Sequence, residues 1–410
     1  MSLATPPGGS PLRARAFPLL LLSLFISSMG LGVVAPLLPI YAYSLGASGL
    51  WLGLFFAAFN LSRIAVLPLI GRISDDWGRK RFIAAGLLVF ALSSLGLVVA
   101  RNIQELTFTR LFQGVASAMV MPIAMAYAAE LAPQERQGAY MGWLNVALFG
   151  GFGFGPMMGG FLQDHLNVQA TFYLMGALSL LGFLLVQMRL PDLRLSARIP
   201  RDQAIPYHRV LRDPVVLGVS CFRTINAVGR GIVLAFLPLM ASAQLRLSTS
   251  EIGLLVSVNI LTTSAFQGPF GRLADWFSRR ALVAVGGLIA SLGVLAIPLA
   301  TLSLHVYVIS VILGLASAIA LPAATAMIAV SGRSYGMGVV MGLFNLAMSL
   351  GLAGGPLLAG ALTDFTGLAG AFVFGGGSGL LGVAGFLWLT RGAPARERAE
   401  PVGVTVEQEV

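Results

Sequence analysis

Arg63, Arg110, Arg223 and Arg230 each stand inside a long apolar stretch of the chain. An arginine at the centre of a membrane helix costs at least ~2.5–3.5 kcal/mol, so it normally faces a cavity and a partner rather than lipid. Such a group either holds a molecule with negative charge or takes part in moving charge. Arg63 and Arg230 lie nearest the midplane, and Arg223 is expected to snorkel toward the cytoplasm. Asn226, Asn60, Asn145, Asn345, Gln267 and Asn259 are candidates for the same lining, although single asparagines in membrane helices also serve as interhelical glue. Met119, Met121, Met125 and Phe25 offer either an adaptable apolar wall or ordinary packing.

All sixteen acidic residues fall in loops, tails or helix ends. Glu130 and Asp164 come closest to the apolar interior and are the candidates for carrying a proton. A cavity with arginines and no countercharge suits anionic or zwitterionic cargo better than lipophilic cations. Cys221, the one cysteine, has no companion for a disulfide or a metal site. His165, His208 and His305 are scattered over separate loops, and no nucleophile–base set or phosphate loop appears. The reading is of a protein that is not an enzyme and needs no cofactor or metal.

The elements that carry these residues are membrane helices. Hydrophobic residues make up 57% of the chain and charged residues 10%, against roughly a quarter charged in soluble domains. Twelve apolar stretches are long enough to cross a ~30 Å hydrocarbon core. They fall near 17–41, 49–71, 82–100, 105–130, 138–161, 168–189, 215–240, 250–270, 281–302, 306–330, 337–362 and 369–390. Backbone groups must be satisfied internally in lipid, which makes these helices. The net charge of +10 does not signal nucleic-acid binding. Of 26 basic residues, 20 lie on one side of the membrane in this topology, and only Arg101 and Arg246 lie on the other. This is the positive-inside pattern, with both termini cytoplasmic in a bacterial inner membrane. The first apolar run is too long for a cleaved signal, and no small-residue cleavage site follows it.

The halves repeat each other at an offset of 200 residues. Gly71-Arg72-Ile73-Ser74-Asp75 recurs as Gly271-Arg272-Leu273-Ala274-Asp275, and residues 141–164 match 341–364 at ten of twenty-four positions. The expected fold is all-α and integral to the membrane, with twelve transmembrane helices in two pseudo-symmetric six-helix bundles. Its parts are a tail over 1–16, a first bundle over 17–189, a basic cytoplasmic linker over 190–214, a second bundle over 215–390 and a tail over 391–410. In membranes such an arrangement usually means a transporter with its site between the halves. Small residues let helices approach closely. They concentrate in the fifth and eleventh spans, where Pro156 and Pro356 also remove a helix hydrogen bond and bend the helix.

Four motifs resemble the major facilitator superfamily and, within it, the twelve-helix drug:proton antiporters, over residues 17–390. The loop from Gly71 through Asp75, Gly78 and Arg79 to Lys80 is similar to the signature GxLADRxGRR. Leu106-x3-Arg110-x2-Gln113-Gly114 resembles the element LxxxRxxQG. Gly151-x3-Gly155-Pro156-x2-Gly159-Gly160 matches the antiporter motif GxxxGPxxGG, with Gly355 and Pro356 as counterparts. Gly30-x5-Pro36-x2-Pro39 resembles a fourth element of such exporters. Two positions depart from the pattern, Asp76 for a basic residue and Ser278 for the glycine of the second copy. The resemblance implies that Asp75, with Arg79 and Lys80, latches the cytoplasmic side shut. Asp275, with Gly271, Arg272 and Arg279, is the expected second latch. It also implies a part for Arg110 and Gln113 in proton coupling. Arg110 is replaced by Ser310 in the second half and Gln113 by Leu313, so the repeat kept the packing residues and lost the charge.

The expectation is therefore a secondary transporter that exports small amphipathic compounds by proton antiport, a monomer whose partners are the bilayer, its substrate and protons. Two alternatives stay open, a carrier for an anionic metabolite or lipid and a transport-inactive membrane sensor.

Overall fold

A computed structural model describes residues 11–133, 136–192, 210 and 212–392, and every regular element in that part is helical. The first half runs α1 (Pro11–Val34), α2 (Leu37–Ser44), α3 (Gly49–Trp77), α4 (Arg79–Val99), α5 (Ile103–Leu131), α6 (Gln137–His165) and α7 (Val168–Arg189). The second runs α8 (Pro214–Ala243), α9 (Thr249–Trp276), α10 (Arg279–Ala296), α11 (Ser303–Tyr335) and α12 (Met337–Leu389). Most of the expected linker over 190–214 and most of both tails lie outside the described residues.

Two interruptions have local causes. Pro36 lacks an N–H, and α1 gives way to α2 around it. Gly367, at φ +71°, divides α12 into two arms that continue in different directions. Among the described residues nine helices are long and apolar enough to cross a membrane, the last of them 51 residues long with this break inside it. Helices α6 and α9, of 29 and 28 residues, also have the length. Their apolar runs are diluted by glycines in α6 and by Asn259, Thr262, Thr263 and Gln267 in α9. The whole fits two bundles of six crossings. Large apolar side chains such as Leu69, Val99, Val373 and Leu381 stand exposed on the outer surface, where hydrocarbon replaces water.

Within the first half α1 packs on α6 and α7, α3 on α5, and α4 on α5 and α7. The second half repeats the scheme, with α8 on α12, α9 and α10 on α11, and α10 on α12. The turn between α3 and α4 explains one departure from the family pattern. Gly78 takes φ +95° there and caps α4 with no side chain. Ser278, its counterpart, takes φ −59° and accepts a hydrogen bond from the Ala281 N–H. A left-handed glycine turn in one half is thus replaced by an ordinary serine N-cap in the other.

The halves meet mainly along two crossings, α3 against the first arm of α12 and α6 against α9. Both are backbone-close. Gly49 and Gly53 of α3 lie on Gly360 and Pro356, while Gly160 and Pro156 of α6 lie on Thr249 and Gly253 of α9. A Cβ added at any of these five glycines would overlap backbone atoms of the other half. At the other ends of the same helices, Gly71, Gly142, Gly268 and Gly342 face open space. The halves are therefore sealed at one face and splayed at the face that carries Arg79, Lys80 and Arg279, termed here the basic face.

Overpacking a close contact costs about 1–3 kcal/mol, which is roughly 5- to 150-fold in a population. Gly53→Leu and Gly253→Leu should each shift the protein by that factor toward forms open at the face opposite the basic one. Spin labels at Tyr43→Cys and Gln244→Cys in a Cys221→Ser background read this directly, as a longer inter-label distance in either leucine variant.

Candidate functional site

A central cavity of about 1400 Å³ lies between the halves. It reaches the basic face past Met125, Ala139, Gly142, Trp143 and Ala329, and ends beneath the sealed crossings at Pro156 and Pro356. The four intramembrane arginines, Arg63, Arg110, Arg223 and Arg230, all border it. So do Asn60, Asn145, Asn226, Asn259, Gln267 and Asn345. Among the described residues its wall includes no Asp, Glu, Lys or His.

Each arginine has a different neighbourhood. Arg110 of α5 donates from Nη1 to Gln113 Oε1 at 2.8 Å, one helical turn away. Its guanidinium also lies 4.8, 5.0 and 5.7 Å from the ring centres of Phe59, Phe55 and Phe56. Aromatic faces hold a cation by their quadrupole, by up to ~2 kcal/mol each where water is excluded. Gln113 is fully buried behind it. Arg223 of α8 does not snorkel. It is only 8% exposed, with Nη2 2.8 Å from the Met348 sulfur and the guanidinium 4.8 Å over the Phe344 ring. Phe344 and Met348 sit one turn apart on α12 and form a soft platform that keeps the side chain inside. Nε of Arg63, Arg110 and Arg223, and Oδ1 of Asn226, are buried with no hydrogen-bond partner among the described residues.

Several asparagines combine two roles. Asn60 Nδ2 reaches the carbonyls of Phe56 and, across the halves, Leu352, both at 3.4 Å. Asn259 Nδ2 donates to the Ser310 carbonyl at 2.9 Å, tying α9 to α11. Asn345 Nδ2 bonds back to Met341 O at 3.0 Å within its own helix. Glycines of the GxxxGPxxGG motif divide their work. Gly151, Gly155 and Gly159 abut the α1 backbone inside the first half, and Gly160 abuts α9 in the second. Gly355 is placed like Gly155, against Val228 of α8. Pro39 is buried in α2.

The carboxylates sit at the ends of the molecule. At the sealed face, Asp364 accepts the N–H groups of Gly49 at 2.7 Å and Leu50 at 3.1 Å, the first two orphan donors of α3. Asp164 does the same for α9, accepting from Thr249 N at 3.1 Å and Ser250 N at 2.8 Å, and from the Thr249 hydroxyl. The third donor of each helix goes to its own N-cap, Ser48 for Trp51 and Ser248 for Glu251. Each half thus supplies a carboxylate to a helix N-terminus of the other, where negative charge is favoured. Burial alone would raise the Asp164 carboxyl, but the hydrogen bonds from Ser250 and Thr249 outweigh it and hold the group below the usual carboxylate range. At the basic face Glu130 pairs with Arg79 at 2.7 Å. The side chains of Asp75 and Asp275, expected to act as latches, lie outside the described residues.

Sequence reasoning missed two features. The Phe55–Phe56–Phe59 cluster around Arg110 had a signal, three rings within one turn of the second span, but nothing in the sequence aimed them at the fourth. The twin caps had one too, since Ser48/Ser248 and Asp164/Asp364 all obey the offset of 200. That each aspartate serves the opposite half is visible only in three dimensions.

A family model described as Major Facilitator Superfamily matches residues 20–225 and 219–407. An uncharacterised MFS-type transporter of Methanocaldococcus jannaschii is 28% identical over 355 residues, covering 85% of this chain and 92% of its own length. The quinolone resistance protein NorA of Staphylococcus aureus is 27% identical over 356 residues, covering 83% and 88%. Among solved structures, a bacterial homologue of the human lysosomal transporter Spinster, in an inward-facing and unoccupied conformation, superposes with a TM-score of 0.75. It is 16% identical, and 94% of this chain and 96% of that one are covered.

Losing an N-cap costs about 0.5–2 kcal/mol, toward the lower end here because both carboxylates are solvent-exposed. Asp164→Ala and Asp364→Ala should each loosen the sealed face by roughly 2- to 10-fold, read by spin-label distances. The pH dependence has a definite sign. The closed form lowers the pKa of Asp164, so its contribution is complete above the ordinary value of 3.8 and fades only as pH falls through the depressed one. The difference in closure between the unaltered protein and Asp164→Ala should therefore be flat from about pH 8 to 5; a difference with its midpoint near neutrality in the same distance measurement would contradict this account.

Proposed function

The chain belongs to the Major Facilitator Superfamily, and from that premise we propose that it exports small amphipathic compounds by alternating access, driven by inward proton flow. It is a multi-pass membrane protein and a transporter, not an enzyme, as its relatives and structural neighbours are. The observation that carries the proposal is the central cavity, open at the basic face and sealed at the other by two pseudo-symmetric crossings. With the basic face cytoplasmic in a bacterial inner membrane, this form loads from the cytoplasm. Rocking the halves about the cavity would break the α3–α12 and α6–α9 seals and bring the basic ends together.

Export rather than uptake is supported by the relationship to a quinolone resistance protein. Coupling is assigned to Arg110 with Gln113, both on the cavity-forming helix α5, and to the pair that Glu130 of α5 makes with Arg79 of α4. Protonating Glu130 weakens its hold on Arg79, at the face that must close when cargo is released. Asp164, an expected coupling residue, is better suited to sealing, because its hydrogen bonds keep it ionised through the physiological range. The working unit is one chain, since the cavity and both seals form within it. One observation favours a second reading, a carrier for an anionic metabolite or lipid without proton exchange. It is the cavity wall, which among the described residues carries four arginines and no acid.

Everted membrane vesicles with an imposed acid-inside gradient separate the two. Panels of cationic, zwitterionic and anionic amphiphiles are added while proton release is followed. The expected result is release triggered by some compounds, reduced at least about ten-fold in Arg110→Ala and in Asp75→Asn. No release from any compound, alongside gradient-independent uptake of a labelled anion, would overturn antiport and establish the second reading.

A further inference from the structure

On α8 the residues Arg223, Asn226 and Arg230 are spaced by three and four, so their side chains share one face, and that face is cavity wall. Arg223 is more than nine-tenths buried, and its Nε, a donor, has no hydrogen-bond partner among the described residues. Arg223 and Arg230 stand two helical turns apart on that face, ~10 Å along the axis, and both border the same cavity. A thioether and an aromatic ring contact Arg223, and neither neutralises it. Paired cations in a low-dielectric wall are costly unless an anion completes them. Among the described residues the protein places no acidic side chain on that wall.

The opposite wall is chemically different. The first half presents Phe56, Phe59, Met121, Trp143, Phe149 and Phe152, an apolar and largely aromatic surface. Arg110 on that side is already engaged by Gln113 and three phenylalanines. Arg63 adds a further positive charge to the cavity without a carboxylate beside it. A cation entering this space would meet only like charges.

We propose that the cargo is an amphipathic oxyanion, a carboxylate, sulfonate or phosphate on an apolar body, whose head is held by Arg223, Asn226 and Arg230 and whose body lies against the aromatic wall of the first half. Arg223 and Arg230 supply charge-assisted hydrogen bonds, and the Asn226 amide supplies a neutral donor between them. This specifies the cargo of the transport reading above and rests on it. The same chemistry is found in soluble aromatic acids and in single-chain anionic lipids.

The test is calorimetric titration of the full chain in neutral detergent with compounds that share one body. These are 2-naphthaleneacetate, 2-(2-naphthyl)ethanol and 2-(2-naphthyl)ethylamine, with oleoyl lysophosphatidate as the lipid arm. The acid should bind at least ten-fold more tightly than the alcohol, and the amine should not bind. Arg223→Gln and Arg230→Gln should each weaken the acid about 10- to 100-fold and leave the weak alcohol binding within about two-fold, which also reports that the variants are folded. Asn226→Ala, which removes no charge, should cost the acid less than either arginine variant. Tighter arginine-dependent binding of lysophosphatidate than of naphthaleneacetate identifies the lipid as the source, and the reverse identifies a soluble acid. Equal affinity for acid, alcohol and amine, or an acid affinity unchanged in both arginine variants, would overturn the proposal. Transport of the labelled acid in proteoliposomes keeps the two readings apart. Arginine-dependent binding with no transport removes the transporter reading and leaves the site, whereas gradient-driven transport of the amine with no acid binding does the opposite.

Discussion

The two close crossings between the halves are what the rest of the molecule depends on. Helices approach to backbone contact only where side chains are missing, and here glycine sits at each point of closest approach, Gly49, Gly53, Gly160 and Gly253. Because these contacts lie toward one face, the halves diverge toward the other and leave the cavity between them. A seal of small dispersion contacts and a few hydrogen bonds can open without unfolding anything. The carboxylates of Asp164 and Asp364 add direction to that seal, because a helix N-terminus accepts a carboxylate only within its first turn.

The second constraint is the energetic cost of charge. Four arginines in the membrane interior, with no carboxylate on the cavity wall among the described residues, form an imbalance that packing alone does not require. Arg110 shows one way of relieving it, through a neighbouring amide and three aromatic faces. Arg223 and Arg230 do not share that solution. The difference is one of surroundings: Arg110 is built into the first half, whereas Arg223 rests on Met348 and Phe344 of α12 at the cavity wall.

Pseudo-symmetry explains where the two kinds of residue fall. Positions obeying the offset of 200, such as Gly160/Gly360, Pro156/Pro356, Asp164/Asp364 and Ser48/Ser248, belong to seals and packing, which both halves need. Arg110/Ser310, Gln113/Leu313 and Arg63/Thr263 break the repeat, and so do Arg223 and Arg230 of α8. On the proposed transport cycle, symmetry is kept in the residues that seal and pack and lost at those assigned to cargo and charge.

Membrane helices, their approximate ends and the doubling of the bundle were legible in the sequence because each rests on a local quantity. A run of apolar residues must be helical in lipid, and an unbroken offset reports repetition. The four arginines were equally legible, since an intramembrane charge is conspicuous wherever it points. Partners were not. Whether Asn60 lines a cavity or bonds Leu352, whether Arg223 reaches water or lies over Phe344, and whether Asp164 titrates or caps Thr249 and Ser250 all depend on residues far away in the chain. Those contacts are set by the angle and depth at which two helices cross. A sequence determines which side chains are available to a face; the tertiary structure decides which of them meet, because a shift of one helical turn exchanges every neighbour while leaving the pattern along the chain unchanged.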